Sequence, residues 1–147
     1  YNDGKTERVR NMKKRYIVVP AAMALLLGIC ASCAANELPS GFDRDQVIKT
    51  SEGFIDQLNA KDYAFCYDQF SDVMKESMSQ KKLENTFTSI FEGLGGFVRF
   101  KSVSLSSSKS LGVEYAVCIV KCQYENEAAT FTISLDKDMK VGGLYIK

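Results

Sequence analysis

The strongest constraint on this chain is a change of hydrophobic period at a glycine cluster, Gly93, Gly95 and Gly96. Before it, apolar residues recur three and four positions apart, as along one helix face. After it they alternate, as along one strand face. The glycines end helical character, because glycine weakens a helix and accepts backbone angles that other residues avoid. Neither an amphipathic helix nor a one-sided sheet is stable alone, so the two halves must bury their apolar sides against each other. With 147 residues there is room for one such core plus appendages. The fold class read from this pattern is α+β, with N-terminal helices packed on a C-terminal four-stranded curved antiparallel sheet.

Helix starts are marked by side chains whose oxygen can accept from a free backbone N–H. Asp43 opens a helix with Val47, Ile48, Phe54, Ile55 and Leu58 on one stripe. Asp62 opens a shorter one through Tyr63, Ala64, Cys66, Tyr67 and Phe70. Ser71 starts a further turn carrying Val73, Met74 and Met78, and Ser79 a helix with Leu83, Phe87, Ile90, Phe91 and Leu94 inward. The first strand is FVRFKSVSL, 97–105, whose alternation slips near Lys101–Ser102 as at a bulge. A connection over SSSKS, 106–110, leads to VEYAVCIVKCQY, 113–124, apolar on both faces in its middle as for a central strand. After a turn at Glu125-Asn126, TFTISL at 130–135 points Phe131, Ile133 and Leu135 inward. A turn at Asp136–Asp138 then leads to VGGLYI, 141–146.

The N-terminal part has a different character. Met12 begins MKKRYIVVPAAMALLLGIC: three basic residues, a 14-residue apolar run from Tyr16 to Ile29, then small residues. Basic, apolar and small regions in that order make a secretory signal peptide. The apolar run is short of the ~20 residues that cross a bilayer comfortably. The domain organisation is therefore an upstream or fragment-edge segment at 1–11, a signal peptide at 12–32, a tether at 33–42 and one α+β domain at 43–147. Around Cys33 the chain resembles a bacterial lipobox, with Ser32 and Ala31 in place but Cys30 where Leu is usual. Cys30 as the modified residue fits less well, since bulky Ile29 precedes it. Three outcomes stay open: lipidation at Cys33, plain cleavage after Ala34 or Ala35, and an uncut membrane anchor. Lipidation at Cys33 is the reading adopted, and it places the protein on the outer face of the bacterial cell membrane; plain cleavage would make it secreted. A zinc or redox role for Cys30 and Cys33 lacks both a second cysteine pair and a strand-to-helix setting.

Charge follows the same division. Of 19 basic and 18 acidic residues, six and two lie in 1–32, which leaves 13 and 16 and a net charge of −3 for the rest. That balance provides no clustered basic surface for nucleic acid. The absence of His excludes His-based triads and His metal ligands. Cys118 and Cys122 share one strand face about 13 Å apart at ~3.3 Å per residue, too far for a disulfide without a bend. Cys66 could pair with either, but small buried thiols are the favoured reading of all three.

The runs FIDQLNAKDYAFCYDQFSDVMKESMSQKKLENTF, GGFVRFKSVSL and FTISLDKDMKVGGL resemble the bacterial family called domain of unknown function 3887. That resemblance spans roughly 47–147 and implies a cone-shaped α+β fold of the kind shared by ketosteroid isomerase and nuclear transport factor two, here in a stand-alone exported form. It implies a pocket between helices and sheet, with Tyr67, Phe70, Phe87, Phe91, Tyr115 and Phe131 as candidate lining for a small apolar ligand. The plain alternative, aromatics filling a core, is favoured. Acid–base chemistry would draw on Asp56, Asp68, Tyr63 and Tyr67, but Asp56 lies off its apolar stripe and Asp68 borders a helix end. Asp136 and Asp138 suit a turn better than a calcium site, and Lys75, Lys81 and Lys82, interspersed with Glu76 and Glu84, suit a solvated helix face. No catalytic residue, metal or cofactor is assigned. The function expected is a non-catalytic binding or interaction module held at the membrane, with a protein or small-molecule partner or a second copy; the alternative is a small acid–base enzyme.

Overall fold

The computed structural model describes residues 37–147. The signal segment, Cys30 and Cys33 lie outside the described residues. Helices α1 (Arg44–Asn59), α2 (Tyr63–Asp68), α3 (Asp72–Ser77) and α4 (Gln80–Leu94) come first. Strands β1 (Phe97–Ser110), β2 (Val113–Tyr124), β3 (Ala128–Leu135) and β4 (Val141–Ile146) follow. Each helix begins at the expected cap. Asp43 Oδ1 accepts from Gln46 N–H at 2.8 Å and Asp62 Oδ1 from Phe65 N–H at 3.0 Å. Ser71 Oγ accepts from Met74 N–H and Ser79 Oγ from Lys82 N–H, both at 3.3 Å. Such a bond satisfies one of the orphan donors of a first turn.

The strands pair antiparallel in the order β1-β2-β3-β4, so each neighbour in sequence is a neighbour in space. Alternation assigns the faces. Ala116, Cys118, Val120, Cys122 and Tyr124 of β2 join Phe131, Ile133 and Leu135 of β3 beneath the helices. α1 lies along β2, α2 touches both α1 and α4, and α3 packs on β4. Polar links fix these contacts: Tyr124 Oη donates to Asn59 Oδ1 at 2.8 Å, and the Tyr63 and Thr88 hydroxyls meet at 3.3 Å. Phe70 forms a short parallel bridge to Val141, with Val141 N–H to Gln69 O at 2.8 Å and Ser71 N–H to Val141 O at 3.0 Å. That bridge covers one end of the β4 edge.

The end of α4 is held by the β2–β3 turn. Asn126 donates to Leu94 O (3.0 Å) through its backbone and to Gly93 O (2.9 Å) through its side chain. Glu125 Oε2 accepts from Gly96 N–H at 2.8 Å. These bonds satisfy carbonyls that a helix end leaves without partners.

Several expectations need correcting. Residues 106–110 are not a connection: β1 runs on to Ser110, and the serines pair with β2 down to Ser110 opposite Val113. A serine run reads as loop in isolation, but a β-strand partner supplies the ladder that serine does not specify. The reversal is the two-residue turn Leu111-Gly112, with φ of 49° and 82°, the twist a tight hairpin requires. The bulge expected near Lys101–Ser102 is present as a register shift between Phe100 and Ser102, and a second skips Val98. Of the apolar residues on the Ser71 turn, Met74 and Met78 are buried and Val73 is 66% exposed. β3 begins two residues earlier than expected, at Ala128. Leu38 and Phe42, within the stretch read as tether, pack against the core.

Candidate binding face

The six aromatic candidates divide between two faces of the sheet. Phe70, Phe87 and Phe131 are fully buried between helices and sheet. Phe91 and Tyr67 stand at the margin of the same core: Phe87 and Phe91 rings lie 5.6 Å apart, Tyr67 and Phe70 rings 6.0 Å apart, and Lys75 Nζ sits 5.6 Å over the Tyr67 ring. Tyr115 is not with them. It alternates with fully buried Ala116, which places it on the helix-free face. Aromatic contact continues from Phe91 to Tyr124 and on to Phe97 and Phe100, strand residues outside the six candidates. Two concavities among the described residues are open surface grooves. One lies between α1 and Phe100, the other between the β1–β2 hairpin and the β3–β4 turn, and neither is lined by any of the six.

The titratable candidates do not converge. Asp56 and Asp68 are exposed, and Tyr63 directs its hydroxyl at Thr88. Asp136 spends its carboxylate on its own turn, accepting from Asp138 N–H at 3.0 Å and Lys140 N–H at 2.9 Å. Cys66, Cys118 and Cys122 are free and buried. Burial pushes the Cys66 and Cys122 thiols up to about 12, helped by Asp62 near the first and by Asp56 and Glu52 near the second. Burial raises Cys118 as well, against a weak opposing effect of Ser51. That contact is too poor to satisfy the buried Ser51 hydroxyl, which has no good partner. Thiols held neutral this way are poor nucleophiles.

The surface with the most distinctive chemistry is the helix-free face. Along β2 it carries Tyr115 and Ile119, both half-buried, with Val117 between them only 9% exposed. The β1 partners on that face are Ser108, Ser106 and Ser104, and the β3 partners of Val117 and Ile119 are Ser134 and Thr132. Tyr145 of β4 extends the row beyond Thr132. An apolar centre is thus framed by hydroxyl groups that can both donate and accept. Tyr115 lies across the chain at Gly142, where a Cβ would come within 2.5 Å of its Cε1. Glycine there lets the ring lie against the backbone of the edge strand. Past Ala116, whose β3 partner is Leu135, the hairpin continues without β3 and ends in Leu111, which is 94% exposed.

These observations define a small α+β domain: four helices covering one face of a four-stranded meander, the other face carrying no helix. The protein of unknown function family DUF3887 has a family model that matches residues 51–144, and the chain belongs to that family. A solved protein from Ruminococcus gnavus ATCC 29149, determined by NMR, is similar in fold, with a TM-score of 0.65 at 24% identity over 75% of this chain and 96% of that one. No curated protein matches the chain.

Proposed function

We propose that the protein is exported, carries a lipid on Cys33, and acts at the outer face of the cell membrane as a non-catalytic binding module. Its contact surface is the helix-free face of the sheet. The observation that carries this reading is the composition of that face, where Tyr115, Val117 and Ile119 are flanked by rows of Ser and Thr. Tyr with Ser and Thr is the chemistry of adaptable recognition surfaces, in which rigid aromatics give contact area and hydroxyls give hydrogen bonds. The helix-covered aromatics pack on one another instead, so the partner fits a face and not an interior cavity.

A photo-crosslinking residue replacing Ile119 in living cells tests the surface. It should give one discrete adduct that the same residue at Glu127 does not. An adduct of twice the chain mass identifies a second copy, and labelling equal at both sites refutes the face. Intact mass tests the anchor: the mature chain should begin at Cys33 with a diacylglyceryl addition, and Cys33→Ser should lack it. A chain beginning at Met12, or an unmodified one beginning at Ala35 or Asn36, refutes lipidation.

A further inference from the structure

The tip of the β1–β2 hairpin carries a combination that folding does not ask for. Leu111 has φ of 49°, in the left-handed region that a branched side chain avoids, and its side chain is 94% exposed. Asn or Gly would suit the first position of this turn better on both counts. Val113, across the turn, is 44% exposed. A residue that neither the backbone nor solvent favours is reason to look for a contact beyond the chain.

The placement of the tip says what that contact is. α1 runs in the same direction as β2, since Arg44 and Ser51 act on Cys118, Asp56 on Cys122, and Asn59 bonds to Tyr124. Seven residues at 1.5 Å put the helix start about 10 Å before Ser51, level with the base of the projecting hairpin. The chain therefore enters the domain at the end where Leu111 stands. Leu38 and Phe42 are packed on the core, and the turn closed by Phe42 N–H to Pro39 O at 3.3 Å keeps Leu38 near the helix start; in the sequence residues 34–37 separate Cys33 from Leu38. Those residues reach no more than about 18 Å. A lipid on Cys33 then holds this end of the domain close to the bilayer.

We propose that the β1–β2 hairpin tip, Leu111 with Val113, dips into the membrane interface beside the anchor and sets the orientation of the domain. The inference rests on lipidation at Cys33. The occupant is a bilayer and not a protein, because the exposed apolar surface at the tip amounts to the two side chains Leu111 and Val113. A stable protein contact would need roughly 800 Å² from each partner. The neighbouring charges Lys109, Glu114, Asp136, Lys137 and Asp138 sum to −1, so insertion is driven by the apolar tip and gains nothing from anionic lipid. With β2 directed into the membrane at its first residues, the helix-free face stands upright and open to partners.

The chain has no Trp, which makes a single reporter unambiguous. Full-length Leu111→Trp, with Val113→Trp as a second reporter free of the positive φ, is extracted from a bacterial host. Each is reconstituted into phosphatidylcholine/phosphatidylglycerol vesicles with or without brominated acyl chains, and Glu127→Trp marks the far end. Both tip reporters should shift to shorter wavelength and lose intensity to the bromines, while the Glu127→Trp signal stays as in water. Vesicle-bound protein whose tip reporters emit as in water overturns the hairpin proposal and leaves the anchor standing. A shift without bromine quenching overturns it in favour of contact between copies. Failure of the chain to float with vesicles overturns the anchor and this proposal together.

Discussion

Gly95 adopts φ 77° and ψ −164°, a region open essentially to glycine alone, and a Cβ there would lie 3.1 Å from Glu125 and Asn126. Gly95→Ala should therefore lower stability by about 1–3 kcal/mol, read as a fall of the thermal midpoint. Gly53 is the opposite case: it lies inside α1 with nothing near its missing Cβ. Gly53→Ala should raise stability by about 0.5–1 kcal/mol through helix propensity alone, and a fall would mean the groove beside it is tighter than its geometry shows. The buried thiols fix a pH response. Cys66 and Cys122 titrate near 12 in the fold, above the ordinary thiol value of 9.0. Between those values the unfolded chain has released protons that the folded chain still holds, so unfolding is favoured as pH rises. Stability should be level below pH 9 as far as these groups act and should decline from there towards pH 12. Cys122→Ala should make that decline shallower. Denaturant melts across this range decide the matter, and a slope unchanged by the substitution would count against it. For the same reason Cys66, Cys118 and Cys122 should resist alkylation at pH 8 until the protein unfolds, as peptide mass mapping would show.

At the scale of elements, the turn of the first hairpin is open to improvement. Leu111→Asn removes the strain of a branched residue at positive φ and should stabilise the protein by about 1 kcal/mol, measured as a higher thermal midpoint. No gain would mean that Leu111 makes a contact within the fold. The same comparison shows what the sequence discloses and what it hides. All four caps were readable, because Asp and Ser before an apolar-periodic run satisfy a local need for an acceptor. β2 and β4 were readable to the residue, β2 ending at the Glu125-Asn126 turn and β4 starting after the Asp136–Asp138 turn. β1 beyond Leu105 was not, because a serine strand owes its state to the partner beside it and Leu-Gly is not the usual signature of a tight turn. The position of Tyr115 was hidden for a related reason. Ala116, Val117 and Cys118 are all apolar and buried although no helix covers the Val117 side, and where both sides of a strand carry apolar residues, alternation cannot say which lies under the helices.

For the whole molecule, Leu38 and Phe42 extend the packed body before α1. A chain beginning at Glu37 should melt as the full chain does. One beginning at Asp43 should be less stable by about 1–3 kcal/mol, the value of two half-buried apolar side chains. Equal melting of the two would show that these contacts add nothing. The order of the elements also sets a timetable. A chain made from its N-terminus completes α1 to α4 before any strand of the sheet exists. The stripes of Val47, Phe54, Leu58, Leu83 and Phe87 then have nothing to close upon, and helices this short are barely stable alone. The 51 residues after Gly96 take roughly 3–10 s at ~5–20 residues per second. Throughout that interval the chain cannot lock, so the helices wait unpaired until the meander that covers them has been made.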